Sequence, residues 1–171
     1  MTAAMSTRVQ VVVNPHVEVG FSPTIALISV VRTFVSDFYA RVLSNNVREM
    51  VAMATHELLE NAVKYAIDDR ATLRIDVEHR EPSDRVSIRI RNRSAPANIQ
   101  PLREVLTRMH QQPDPLAHYV ALMRETAKRK HGSGLGLARI RAEAGMELSL
   151  ELEGDVVCIL AQCDVAKREV T

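Results

Sequence analysis

Glu57, Asn61 and Lys64 stand four and then three residues apart within the stretch His56–Ala66. On a helix that spacing puts a carboxylate, an amide and an ammonium on one flank. A carboxylate orients or deprotonates a water, an amide oxygen ligates Mg²⁺, and a lysine meets a phosphate. Leu58, Leu59, Ala62, Val63 and Ala66 recur at helical spacing and give the same helix an apolar stripe that faces a core. An amphipathic helix with a charged edge has the same pattern, so this stretch alone leaves both readings open.

A second group lies far downstream, in His131-Gly132-Ser133-Gly134-Leu135-Gly136-Leu137. Glycines at alternate positions leave the backbone N–H groups unshielded and permit positive φ. The residues from Leu137 to Ala144 read as a helix, so the glycines fall at a helix N-terminus, where phosphate is favoured. A flexible connection is the plainer alternative. The string is not a Walker A loop, because Lys130 precedes the glycines. Nor does a first strand lead directly into it, as a dinucleotide fold requires.

Together the strings Glu57-x-x-x-Asn61-Ala62 and Gly132-x-Gly134-Leu135-Gly136-Leu137 resemble the N box and glycine box of the GHKL superfamily of ATP-binding domains. The order and separation fit, and the resemblance covers most of the chain. It implies a two-layer α/β sandwich (the Bergerat fold), with a mixed, mostly antiparallel sheet and helices on one face. It also implies ATP and Mg²⁺ as cofactors. Glu57 would be the general base, Asn61 the metal ligand and Lys64 a phosphate counter-charge. The backbone of Gly132, Ser133, Gly134, Leu135, Gly136 and Leu137 would cradle phosphates, and His56 would hold Glu57 in place.

One box departs from the family. Where an adenine-binding D-x-G-x-G is expected, the chain reads Asn92-Arg93-Ser94-Ala95-Pro96. Asn92 keeps a carbonyl oxygen for the base but carries no charge. Losing a charge-assisted hydrogen bond costs about 1.5–3 kcal/mol, roughly tenfold to a hundredfold in affinity. The departure implies nucleotide binding that is weakened, shifted in specificity or lost.

The elements that must position these residues follow from patterning. The 171 residues, 46% hydrophobic, suffice for one core, taken as one domain over 8–166 with tails at 1–7 and 167–171. A net charge of +1 argues against a general nucleic-acid binder. No apolar run matches a membrane span, and Cys158 and Cys163 suit reduced thiols, so a soluble cytoplasmic protein is expected. Strands are predicted at 8–13, 16–19, 72–78, 86–92, 146–153 and 156–161, the last two joined by a tight turn at Gly154-Asp155. Ser22-Pro23 is read as the cap and first position of a helix carrying Ile25, Ile28, Val31, Val35, Phe38 and Val42 on one face. Asn45-Asn46 separates it from the Glu57 helix. A turn is expected at Asp68-Asp69, and a helix from Pro101. A second helix opens at Leu116 and leads into the basic run Arg124, Lys128, Arg129, Lys130 and His131.

Stand-alone domains of this type resemble anti-sigma-factor serine kinases of the RsbW and SpoIIAB kind and the SiaB-like branch. The resemblance implies a bacterial regulator of a partner-switching system, with a small antagonist or other regulatory protein as partner. Its expected activity is ATP-dependent phosphorylation of a serine on that antagonist, and homodimerisation is compatible with the class. The alternative is a degenerate GHKL scaffold that binds a protein partner without nucleotide catalysis.

Overall fold

Alternating aliphatic and polar residues lay down β1 (His16–Phe21), β2 (Ala66–Glu78), β3 (Asp84–Ser94) and β4 (Glu147–Glu153), and an apolar run opens β5 (Val156–Val165). The computed structural model describes residues 14–128 and 134–168, so the strand predicted at 8–13 lies outside the described residues. The sheet order is β1-β2-β3-β5-β4, and all four pairings are antiparallel. Register fixes which face is dry. Val17, Ile75, Ile88, Ala161 and Leu148 form one row across the sheet, all buried. One residue along each strand, Glu18, Arg74, Arg89, Leu160 and Ser149 form a row on the other face. That face is solvated and laced with ion pairs, Arg74–Glu18 at 3.1 Å and Arg85–Asp164 at 2.8 Å among them.

Helices cover the dry face, giving the two-layer α/β sandwich. α1 (Ile25–Phe38) continues through a short 3₁₀ turn at Tyr39–Arg41, and α2 (Asn45–Tyr65) returns against it. Val51, Ala54, Leu58, Leu59 and Ala62 turn the apolar stripe of α2 onto β3 and β5. α1 buries Ile28, Val31 and Val35, while Ile25, predicted inward, is 78% exposed. Val30, Phe34 and Phe38 leave an apolar stripe uncovered beside the buried one. α3 (Pro96–His110), α4 (Pro115–Lys128) and α5 (Leu135–Glu143) complete the layer. No described helix is long and apolar enough to cross a membrane.

Several boundaries differ from the sequence reading, each for a local reason. α1 begins at Ile25, two residues after Pro23, with Thr24 extended at its N-cap (φ −133°, ψ 147°), so the cap is Thr24 and not Ser22. Asp68 and Asp69 lie inside β2, where the register with β3 shifts between Ala66 and Ala71. The Asp68 carboxylate takes the Arg70 N–H at 3.2 Å, which satisfies a donor the irregular ladder leaves over. α3 starts at Pro96, five residues before Pro101, because a proline suits the first helical position. At the other end, Arg168 donates to the Ala40 carbonyl at 2.9 Å and Lys167 pairs with Glu81, so the predicted tail is tethered as far as it is described.

Candidate functional site

α2 carries its polar flank to the end of β3, and α3 closes over the gap from the other side. Between them lies a cavity of about 170 Å³. Its lining includes Asn61 and Tyr65 from α2, Asn92 and Ser94 from β3, Leu102 and Val105 from α3, and Gly134 and Leu137 where α5 begins. A cavity of about 150 Å³ accepts a benzene ring, whereas a whole drug-sized ligand needs roughly 300 Å³ or more. The enclosed space therefore suits one flat ring system, with the rest of any larger ligand outside it.

The polar groups on this cavity are few and differently committed. Asn92 is buried, and its amide donates to the Arg93 carbonyl at 3.0 Å. That uses one of its two N–H donors and leaves its carbonyl oxygen as an acceptor. Asn61 has its amide nitrogen buried with no hydrogen-bond partner among the described residues. An orphaned buried donor costs about 1–3 kcal/mol, so a polar partner there relieves a standing penalty.

α5 supplies the third part. Gly134 caps it with φ +90°, a conformation open to glycine, and a Cβ there would stand 2.6 Å from Val105 Cγ1. No side chain caps this helix, so its first N–H groups are without intrahelical partners beside the cavity. Gly136, the second residue of α5, is packed directly on Glu57: a Cβ there would collide with the Glu57 carboxylate oxygen Oε2.

Glu57 is buried, and its other oxygen Oε1 accepts from Arg139 at 3.0 Å. Arg139 also donates through Nε to Glu143 at 2.8 Å. This guanidinium is held above its usual pKa, chiefly by Glu143 and secondarily by Glu57. The sequence reading gave the task of holding Glu57 to His56. In the structure His56 instead pairs with Glu60 at 3.2 Å, four residues on along the same helix.

The structure thus brings together Asn61, Asn92, Gly134 and Leu137 on one cavity, with Glu57 behind the first turn of α5. Leu135 and Gly136 lie in that turn, off the cavity wall. Lys64 is exposed, its ammonium 5.0 Å from the centre of the Tyr65 ring, and does not line the cavity. Gly132 and Ser133, with Arg129, Lys130 and His131, lie outside the described residues. Tyr65, read as core packing, is a half-buried wall residue. Arg139 went unnoticed in the sequence, although it sits three residues after Gly136 and so shares its helix face.

The architecture is the two-layer α/β class already described, and a chain of known structure shares it. A chain in the crystal structure of the SiaB–SiaC complex from Pseudomonas aeruginosa superposes with a TM-score of 0.62 at 17% identity. The match covers 87% of this chain and 89% of that one. At that identity the likeness speaks for the fold. Neither a family model nor a curated protein matches the sequence.

Proposed function

We propose that this chain is a regulatory protein of the GHKL type that binds an adenine nucleotide with Mg²⁺ and acts on a protein partner in a partner-switching system. The observation that carries this reading is the meeting of Asn61, Asn92 and the pair Gly134 and Leu137, three distant parts of the chain, on one base-sized cavity. Asn92 would accept from the base through its carbonyl oxygen. Asn61 would ligate the metal, and the unsatisfied N–H groups of α5 would receive phosphate oxygens. ATP supplies the phosphoryl group when bound. Glu57 would accept the proton of a serine hydroxyl on a small antagonist protein, once Arg139 yields its hold. The Pseudomonas aeruginosa neighbour was solved in complex with another protein, which supports a protein partner.

The scaffold reading has its own support: Glu57 is already neutralised by Arg139, and Asn92 replaces a charged acceptor. Calorimetric titration with ATP, ADP and GTP, with and without Mg²⁺, separates the two. Mg²⁺-dependent binding of adenine nucleotides that Asn61→Ala removes is the expected outcome. No heat up to millimolar nucleotide leaves the protein-binding scaffold. If binding is found, transfer of labelled phosphate to a serine of a candidate antagonist tests the kinase.

A further inference from the structure

β4 is an outer strand of the sheet, and among the described residues nothing pairs with its free side. Which of its groups point outward follows from the hairpin. Glu153 pairs with Val156 across the two-residue turn, Gly154 has φ +62°, and among the described residues no non-glycine residue has positive φ. That is a type II′ turn, and the pair flanking it exchanges hydrogen bonds. Alternation then directs the N–H and C=O groups of Leu148, Leu150 and Leu152 away from β5. An independent contact agrees: the Leu148 carbonyl meets His110 Nε2 of α3 at 2.8 Å. His110 thus closes one end of the edge, and the backbone groups of Leu150 and Leu152 remain open.

Beside this open backbone runs a groove of about 400 Å³ between α3 and β4. Leu106, Leu150 and Leu152 give it an apolar floor, with Arg103, Thr107 and His110 along the α3 side. On the opposite, solvated face β4 presents Glu147, Glu151 and Glu153. Glu153 is paired with Arg91 at 2.7 Å, and Glu147 lies 3.8 Å from Arg141, whereas Glu151 has no ion-pair partner among the described residues.

We propose that this edge receives an extended segment of a partner protein, added as a strand, with apolar residues in the groove and basic residues opposite the glutamates. The backbone of Leu150 and Leu152 supplies the ladder, and side-chain alternation supplies selectivity. Charge decides against a second copy of this chain as occupant. Two β4 strands centred on Leu150 and paired antiparallel would set Glu147 against Glu153 on both sides, and like charges directly opposite are destabilising. This surface is independent of the nucleotide cavity and stands or falls separately from it.

The test uses the full chain and two fluorescein-labelled heptapeptides, one alternating lysine with valine and one alternating glutamate with valine. Anisotropy should show saturable binding of the lysine peptide and binding about tenfold weaker, or weaker still, for the glutamate peptide. Amide exchange at Leu150 and Leu152 should slow only with the former. Glu151→Lys, a surface change checked for folding by circular dichroism, should erase the preference. Equal binding of both peptides, no binding of either, or exchange unchanged at Leu150 and Leu152 overturns the proposal. So does sedimentation showing a dimer in which amide exchange at Leu150 and Leu152 is slowed without peptide, because the occupant is then a second copy.

Discussion

The Glu57 carboxylate is gripped on both oxygens by α5, one by the Arg139 guanidinium and the other by close packing on Gly136. Two substitutions probe this grip. Gly136→Ala forces a methyl into the carboxylate and should destabilise the fold by about 1–3 kcal/mol in urea denaturation. Arg139→Met leaves a largely buried carboxylate without its cation. Because the arginine is itself 40% exposed, the loss should be about 1–2 kcal/mol, between the exposed and buried limits. Adding Glu57→Gln to Arg139→Met should recover most of it, and a double-mutant cycle reads the coupling directly. Elsewhere, burial and then the neighbouring Asp164 push the Cys163 thiol from 9.0 to about 11. The thiol is therefore neutral across the ordinary range, and its contribution to stability holds below pH 9 and is lost as pH rises toward 11. Labelling of native protein with a disulfide reagent should accordingly be slow at pH 8 and accelerate steeply with alkali.

At the scale of elements, β1 to β4 were legible because alternation survives in them, and β5 because Val156 to Ala161 is a short unbroken apolar run bounded by a turn. The helical layer was legible from the α2 stripe. What patterning could not place was local: two aspartates read as a turn are a strand irregularity, and a proline read as a helix start lies inside α3. Long-range partners were equally out of reach. His56 was assigned to Glu57 by resemblance, but a side chain one position away points to another flank, whereas Arg139 arrives from a different helix. Tyr39 is such a link too, its hydroxyl donating to the Ile75 carbonyl at 2.8 Å in full burial. It joins the end of α1 to the middle of β2. Tyr39→Phe should cost about 0.5–1.5 kcal/mol, measured as a lowered denaturation midpoint with unchanged slope.

For the whole molecule, ligand linkage gives the simplest readout of the cavity. Nucleotide present at a hundred times its dissociation constant should add about 2.7 kcal/mol to stability. For a domain of this size that is a rise in Tm of roughly 5–10 °C, and Asn61→Ala should abolish it. A thermal scan with ATP and Mg²⁺ therefore reports on the cavity without a known partner.

The strand order also governs how the chain is made. Of these five strands β5 is the last to be synthesised, yet it lies inside the sheet, between β3 and β4. Until it leaves the ribosome, β3 has an unpaired side and the apolar underside of α2 has part of its cover missing. A nascent chain stalled before Val156 should remain protease-sensitive throughout and bind holdase chaperones, and release of residues 156–165 should confer resistance in one step.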